Sequence, residues 1–595
     1  MKKTIVLLVL FALIFQSCKK EGENNKLTEQ LPPISEVFKS YYEDGLKLNP
    51  LSATFAGDNR YNDILPNYIS QEYLSKAKDY YSNYKTTILK YNKDSLSDND
   101  KMSYEVLLWD CNINLEGFKY PTHLIPINQF SSLPQTIGQL AGGSSAQPFK
   151  TVKDYNNWLG RLNAFAIICD TAIANMKKGI EKGYVLPKSL TVKVIPQIES
   201  FSKGPAENHL FYTPVKNFPE AFTEEEKDSL TKTYTHIISE KIIPAYKKLE
   251  TFFKEEYLPA SRETSGISAF PDGKQFYAHQ IKTYTTTTMT ADEIHNLGLS
   301  EVTRLEAEME KIKEQVGYKG DLKSFFEYVR NKKELMPFDD PQQVIDNFNA
   351  IHAKMKPNLE KLFDLVPKTG FEVRRTEAFR EASASAEYNP GSLDGTRPGI
   401  FYVPIPDVKS YNIYADEDLF LHEAIPGHHY QISLQQENKD LPDFRKILWY
   451  SAYGEGWALY SESLGKELGL YQDPYQYFGM LSAEMHRAIR LVVDTGIHTK
   501  GWTREQAIQY SLDHEAEPEA SIIAEIERYM SWPGQALSYK VGQLKIIELR
   551  NKAEKELGNK FDIKQFHNRI LESGCIPLKL LEDKINRWIS ETKNN

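Results

Sequence analysis

Cysteine is scarce in this chain, with four residues among 595. Apart from Cys18, the cysteines stand far apart, at positions 111, 169 and 575, without the paired spacing of a zinc site or a disulfide framework. We therefore predict that Cys111, Cys169 and Cys575 are buried free thiols, although an oxidising compartment would permit one disulfide.

Long apolar runs and an excess of positive charge are also missing. After the N-terminal segment, no apolar run approaches the ~18 residues that a membrane-spanning helix needs. The net charge is -9, with both signs mixed along the chain, which argues against a nucleic-acid partner. With 41% hydrophobic residues, the chain can nevertheless bury a large core.

The first residues form an export signal rather than part of the fold. Two lysines precede a short apolar run from Ile5 to Phe15, which is typical of a secretory signal. The Gln-Ser-Cys18 that follows resembles a bacterial lipobox, which implies cleavage before Cys18 and lipidation of its thiol. We predict a signal peptide at 1–17 and a flexible tether at 18–30. The protein would then be lipid-anchored in the bacterial cell envelope, and an ordinary signal peptide is the alternative.

Helical periodicity dominates the rest of the sequence. Thr290 and Glu293 have the spacing of a capping box, and apolar residues recur at helical intervals from there to about Gln315. Further helices are predicted at about 70–94, 151–182, 222–255, 341–365, 475–496 and 535–557. Strand-like sequence is limited to 284–288 and Gly399–Val403. We therefore predict a mainly α fold, with a small β element near the site described next.

A stretch rich in glycine and proline at 264–274 is the best candidate for a linker. It would separate a helical N-terminal half at 31–265 from a C-terminal half at 275–595 that carries the chemistry. The stretches 121–143 and 203–219 are predicted as long loops packed on the helices.

The segment His422-Glu423-Ala-Ile-Pro426-Gly-His428-His429 carries the main functional signal. A helix with His at i and i+4, and Glu beside the first His, builds a zinc site and its catalytic base. Here i+4 is proline. In an ideal helix His428 points away from His422, and His429 lies ~10 Å along the axis, too far to share one ion. We predict a bulge at Pro-Gly that returns His428 to His422; the alternative is a helix that ends there, with surface histidines.

A second segment, Gly-Glu455-Gly-Trp-Ala-Leu-Tyr-Ser-Glu462, begins about thirty residues later. It resembles the Asn-Glu-Gly-Phe-Ala segment of zinc aminopeptidases, whose glutamate supplies the third zinc ligand from a separate helix. The resemblance assigns Glu455 as a ligand, and Glu462 lies at i+7 on the same face, where it can orient a ligating histidine. The alternative for Glu455 is a solvated carboxylate at a helix start. Two histidines and one glutamate leave a fourth position for water, as in catalytic zinc sites.

These two segments, together with Trp532-Pro-Gly-Gln-Ala-Leu-Ser-Tyr539-Lys, resemble bacterial domain-of-unknown-function family 885. Upstream matches are Pro50, Ala53, Thr54, Gly57, Tyr61, Gly183-Tyr-Val-Leu-Pro187 and Asp394-Gly-Thr-Arg397-Pro-Gly. The resemblance covers nearly the whole mature chain. It implies a largely helical, cleft-containing zinc peptidase related to the His-His-Glu (gluzincin) class. It also implies that His428, and not His429, is the second ligand.

The predicted site implies hydrolysis of a peptide bond with one Zn2+ ion held by His422, His428 and Glu455. Glu423 is the expected general base for a zinc-activated water, and it can pass the proton to the leaving amine. The tetrahedral oxyanion needs a donor besides the metal.

Candidates for this donor are Tyr539, His498 and His514. His498 ends a stripe with Arg487, Arg490 and Asp494 that lies on one helical face, and Asp494 is predicted to support the metal ligands from behind. An internal salt-bridge network is the alternative for the stripe. A core tyrosine is the alternative for Tyr539.

Substrate anchoring would require a cation near the zinc. The Asp394-Gly-Thr-Arg397 segment precedes the predicted strand, and in zinc peptidases of this general class an extended edge pairs with the substrate backbone. Arg397, Arg487 or Lys540 could hold the C-terminal carboxylate of a peptide. A carboxypeptidase is expected if one of them does, and an oligopeptidase or endopeptidase if none does. A plain turn arginine is the alternative for Arg397.

Two other functions fit the same residues. One is a lipid-anchored binding module with a decayed site, and the other is a zinc amidase acting on a non-peptide amide. Retention of Glu423 argues against the decayed site, because such a site has no chemical need for a base. The sequence alone does not separate the zinc amidase from a peptidase. Peptides are the predicted substrates, and a membrane, through Cys18, is the predicted partner.

Overall fold

The computed structural model describes residues 31–142, 145–377, 381, 384–393 and 397–594. Cys18, the predicted signal peptide, the predicted tether and Asp394 lie outside the described residues. The described chain is mainly helical, which confirms the predicted fold class. None of its helices combines the length and the apolar character needed to cross a bilayer.

The first half of the described chain contains helices that match most of the predicted ones. They are α1 (Ile34–Leu48), α2 (Pro50–Phe55), α3 (Gln71–Ile88), α4 (Asp98–Gly117), α5 (Leu133–Ala141), α6 (Val152–Lys182), α7 (Lys188–Glu199), α8 (Thr213–Lys216), α9 (Glu224–Ile237), α10 (Ile243–Phe252) and α11 (Leu258–Ala260). Two π-helical turns, Ile238–Ile242 and Phe253–Tyr257, join α9, α10 and α11 into one run. The predicted loop at 121–143 contains α5, and the one at 203–219 contains α8.

The second half of the described chain is also mainly helical. Its helices are α12 (Gly273–Thr285), α13 (Ala291–Gln315), α14 (Leu322–Asn331), α15 (Pro341–Leu362), α16 (Asp416–Glu423), α17 (His428–Glu437), α18 (Asp443–Ile447), α19 (Ser451–Ser463), α20 (Pro474–Thr499), α21 (Arg504–His514), α22 (Glu519–Ser531), α23 (Ser538–Leu557), α24 (Ile563–Leu571) and α25 (Leu578–Asn594). The pairs α13 with α20 and α19 with α23 make the most extensive helix contacts.

Local sequence determines where α13 begins and where α12 ends. The Thr290 hydroxyl accepts the Glu293 backbone N–H, and the Glu293 carboxylate accepts the Thr290 N–H, so the predicted capping box is confirmed. The predicted strand at 284–288 is wrong. α12 continues to Thr285 and ends at Thr286, whose φ of 52° breaks an extended conformation. Burial of the helical apolar face has outweighed the β-branched composition.

The small sheet has the strand order β1-β3-β2 and contains β1 (Phe371–Arg375), β2 (Glu387–Asn389) and β3 (Gly399–Val403). β3 pairs in parallel with β1 and antiparallel with β2, and it confirms the strand predicted at these residues. Phe371 of β1 packs 6.0 Å from Phe420 of α16, measured between ring centroids. The sheet therefore lies directly beside the helix that carries His422.

Among the described residues, the buried apolar side chains form two clusters. One lies within residues 51–257 around α6, α7 and α10, and the other joins the second half of the chain to α1 and α4. The predicted linker is part of this packing, because Ile267 and Phe270 are buried and the Ile267 N–H donates to His498. The segment 264–274 is therefore packed in part, while Thr264, Ser268 and Pro271 are exposed. Its role as a linker between two halves stays a prediction. The cysteines are buried and free, as predicted, at Cys111, Cys169 and Cys575.

Candidate metal centre

The histidine-rich segment folds as two short helices separated by a break. α16 ends at Glu423, α17 begins at His428, and the residues between them are non-helical, with a cis peptide bond before Pro426. The prediction of a bulge inside one helix is corrected to this break. Its effect is the one expected of the bulge, because the rings of His422 and His428 lie 4.8 Å apart between centroids.

Glycine and tryptophan hold the break in place. A Cβ atom at Gly427 would lie 1.9 Å from the carbonyl oxygen of His422, so no larger residue fits this close approach. The indole N–H of Trp457 donates a 2.8 Å hydrogen bond to the carbonyl oxygen of Pro426. This bond ties the break to α19, the helix that carries Glu455.

The two histidines and Glu455 converge on one point. Nε2 of His422 lies 3.7 Å, and Nε2 of His428 lies 3.4 Å, from Oε2 of Glu455. One ligand atom from each of the three residues lies within 4.8 Å of the others. These separations exceed an ordinary hydrogen bond of about 2.7–3.2 Å. They approach the spacing of about 3.3 Å between two ligands of a tetrahedral zinc ion with ~2.0 Å bonds. The donor set and its spacing therefore fit a zinc ion.

Small residues bring Glu455 into this position. A Cβ at Gly456 would lie 2.5 Å from the backbone of Gly542, so α19 and α23 are in backbone contact on that side. A Cβ at Gly454 would lie 2.1 Å from the ring of Trp449. The Gly-Glu-Gly sequence thus serves packing on both sides of the carboxylate.

Glu462 orients His422 from behind. Its Oε1 accepts the Nδ1–H of His422 at 2.6 Å, which leaves Nε2 directed at Glu455. Burial lowers the pKa of His422, but the carboxylates of Glu455 and Glu462 outweigh this effect and raise the pKa to about 10. The same pairing holds the pKa of Glu455 well below its ordinary value, in spite of burial, because His428 and His422 face it. The cluster is thus an acidic site that favours a cation.

Glu423 ends α16 next to His422 and is buried. Burial raises its pKa, and the nearby His422 and His428 partly offset that rise. A carboxyl group whose pKa lies above its usual range is suited to accept and return a proton near neutral pH.

Tyr539 lies in the first turn of α23, the helix that packs against the Glu455 helix α19. It is half-buried, and burial together with the charge of Glu455 raises the pKa of its phenol. The guanidinium of Arg490 lies 4.6 Å from the centroid of the Tyr539 ring. The charge of Glu455 thus acts on Tyr539, whose role as an oxyanion donor stays a prediction.

His498 and Asp494 are corrections to the predicted site. His498 is fully buried, accepts the Ile267 N–H, and bonds the Tyr529 carbonyl through Nε2, so both ring nitrogens are used by the backbone. Asp494 accepts the hydroxyl of Tyr277 and the N–H of Gly534 instead of supporting a ligand. Helical periodicity correctly places both on one face of α20, but His498 lies about 16 Å along the axis from Arg487.

The predicted role of Lys540 as a substrate anchor is also corrected, because its side chain is already paired in the core. It is fully buried, and its ammonium pairs with Glu484 at 2.5 Å and with Glu301 at 2.9 Å, so it is not accessible to a substrate carboxylate. His514, the third oxyanion candidate, pairs with Glu306 at 2.6 Å.

Two of the predicted anchoring cations are not fully buried: Arg487 is partly buried and Arg397 is exposed. Arg487 lies 3.9 Å from Glu462, and its charge acts on Glu423, so it borders the candidate metal centre. Arg397 is exposed, and its backbone bonds Ser392. Because Tyr388 bonds His429, and the charge of Arg397 reaches Tyr388, Arg397 lies on the sheet side of the site.

Sequence reasoning gave no role to two residues that shape the site. Trp457, whose indole holds the break, could have been singled out by its place two residues after Glu455. Trp449 packs against His428 with 5.7 Å between ring centroids, yet 42% of its surface is exposed. An extended apolar stretch before the Gly-Glu-Gly motif is its only sequence signal.

Comparison with known proteins supports the fold. A protein from Colwellia psychrerythraea, described as a candidate lipoprotein, is 30% identical over 94% of this chain and 99% of its own, with a TM-score of 0.85. One from Shewanella oneidensis, described as a candidate lipoprotein of unknown function, is 19% identical over 93% of this chain and 99% of its own, with a TM-score of 0.74. A candidate oligoendopeptidase F from Bacillus anthracis reaches a TM-score of only 0.23, too low to support any argument.

No curated protein matches the chain. Residues 50–585 match the family described as bacterial protein of unknown function, DUF885. This is the family that the motifs containing His422, Glu455 and Tyr539 resemble. The chain therefore belongs to the DUF885 family of bacterial proteins.

Proposed function

We propose that this protein is a lipid-anchored zinc metallopeptidase of the bacterial cell envelope. The observation that carries the proposal is the convergence of His422, His428 and Glu455 within 4.8 Å, with Glu423 beside the first ligand. Three protein ligands with a fourth position for water are typical of a catalytic zinc site, and a glutamate beside the first histidine is the general base of a metalloprotease. The buried Glu462 behind His422 is the support that such ligands need.

The chain's own residues divide the work of hydrolysis. When bound, zinc supplies a Lewis acid that lowers the pKa of a water molecule toward ~7. Glu423 accepts a proton from the attacking water and returns it to the leaving amine. Tyr539 offers its phenol to the oxyanion that develops at the carbonyl. Arg487 and Arg397 are the remaining candidates to hold a peptide carboxylate.

Zinc content and chelation test the proposal. We expect purified protein to carry close to one zinc ion per chain by elemental analysis. Chelation should abolish peptide hydrolysis, and added zinc should restore it. A peptide-library digest read by mass spectrometry would show whether the substrate peptides are cleaved near their ends or at internal bonds. Protein that lacks zinc, and hydrolyses peptides equally well with chelator, would contradict the proposal.

Lipid anchoring rests on Cys18 and on the descriptions of the two related structures as candidate lipoproteins. We expect the wild-type protein in the membrane fraction and the Cys18→Ser variant in the soluble fraction after export. Cys111→Ser is a matched control, because this cysteine is buried in the fold. Equal membrane recovery of Cys18→Ser and wild type would exclude anchoring through this residue.

A further inference from the structure

Trp449 is an exposed aromatic side chain next to a candidate zinc ligand. Its ring packs against His428 at 5.7 Å between centroids and lies over Gly454, the residue before Glu455. Even so, 42% of its surface remains exposed, and Ile447, two residues earlier, is 38% exposed. Large apolar surface beside a polar, cation-binding cluster is typical of a binding site.

The backbone around Trp449 is held in an extended conformation. Leu448 and Tyr450 have φ/ψ of -67°/140° and -107°/113°. The Leu448 carbonyl accepts the Gln435 side-chain N–H at 3.0 Å, and the Tyr450 N–H donates to the Cys575 sulfur at 3.0 Å. Ile447 is the last residue of α18, so the two exposed apolar side chains, Ile447 and Trp449, stand one residue apart where the helix gives way to the extended stretch. The exposed apolar surface is therefore fixed before any ligand arrives.

Gly454 fixes the ring as well as the backbone. A Cβ at this position would lie 2.1–2.5 Å from three atoms of the Trp449 ring, so the absence of a side chain creates the place where the ring lies. One edge is packed against His428 and Gly454, and the rest faces outward. A preorganised aromatic surface binds an apolar group at little cost in side-chain entropy.

We infer that Trp449 and Ile447 form a substrate subsite beside the candidate metal centre. It takes a large apolar side chain of a peptide, close to the peptide bond that is cleaved next to His428. This inference rests on the proposed peptidase function, whose substrate class it narrows to peptides with an aromatic or branched aliphatic residue at one position. Trp449 determines specificity here and takes no part in the bond-breaking steps.

Binding can be measured without turnover by using the Glu423→Gln variant of the full chain. The probes are four peptides that are identical except for Phe, Leu, Ala or Glu at one position. This position is chosen next to a known cleavage site or, without one, by varying each position of the peptide in turn. We expect the Phe and Leu peptides to bind about tenfold more tightly than the Ala and Glu peptides. Adding Trp449→Ala should remove this preference, whereas Trp449→Phe should keep most of it.

Phe55→Ala is the matched control, because Phe55 is a comparably exposed aromatic residue on α2 in the other half of the chain. It should leave the preference unchanged. If Trp449→Ala keeps the preference, or if no peptide shows one, the subsite is wrong. If the preference depends on Trp449 but the wild type cleaves none of the peptides, the subsite stands and the peptidase proposal fails.

Discussion

Replacing Glu423 with Gln is expected to abolish peptide hydrolysis while the protein still binds zinc. The amide has the same size as the carboxyl group but cannot accept the proton of the attacking water. General-base catalysis contributes about 10²–10⁴-fold in rate, so turnover should fall by at least about 100-fold. The measurement is kcat for a library-derived peptide, together with zinc content by elemental analysis.

The structure separates this role from ligand binding. His422, His428 and Glu455 approach one another, whereas Glu423 ends α16 beside them and influences them through charge. Removing its charge should leave the three ligand atoms in place. If Glu423→Gln loses zinc together with activity, Glu423 is a ligand or a structural residue and the assignment as base is wrong.

Asp416→Asn is a matched control on the same helix. Asp416 is buried two turns before Glu423 and accepts hydrogen bonds from Tyr411 and Asn347. Burial raises its pKa to about 8, so it is largely protonated at neutral pH and an amide replaces it with little change of charge. This variant should retain both zinc and activity, which would show that the loss in Glu423→Gln is local.

The helical scaffold could be predicted from sequence wherever local signals were strong. The capping box at Thr290 and the periodicity of 151–182 correspond to α13 and α6 because each helix buries one continuous face. The strand-like 284–288 failed because tertiary burial outweighs β propensity. The linker at 264–274 stays a prediction, because glycine and proline also occur in tightly packed turns, and here Ile267 is buried.

The sequence was enough to predict which residue types form the candidate site, but not the backbone conformation that brings them together. Two histidines and a glutamate in neighbouring motifs are enough to suggest ligands. The break between α16 and α17 depends on contacts from distant residues, namely the indole of Trp457 and the close approach of Gly427 to His422. The anchoring role predicted for Lys540 likewise could not take account of its buried partners, Glu484 and Glu301.

His428→Ala is expected to lose zinc, whereas His429→Ala is expected to keep it. Nε2 of His428 faces Glu455 at 3.4 Å, while His429 is turned toward the sheet, where Nδ1 bonds the Tyr388 hydroxyl at 2.9 Å and the ring packs on Phe371. Loss of a residue that merely supports a ligand weakens metal binding about 10–100-fold. Loss of the ligand itself should weaken it by more than about 100-fold. Zinc affinity measured against a competing chelator distinguishes the two variants.

His429→Ala controls for the damage that any buried substitution causes. Burial lowers the pKa of His429 to about 4, so it is neutral, and truncation removes a hydrogen bond and packing worth about 1–3 kcal/mol of folding free energy. We expect a lower melting temperature with zinc affinity within a few fold of wild type. The reverse pattern, zinc lost in His429→Ala and retained in His428→Ala, would require α17 to begin in another register. The break at Gly427 would then have to place His429, instead of His428, next to Glu455. The observed positions of the two rings are the opposite.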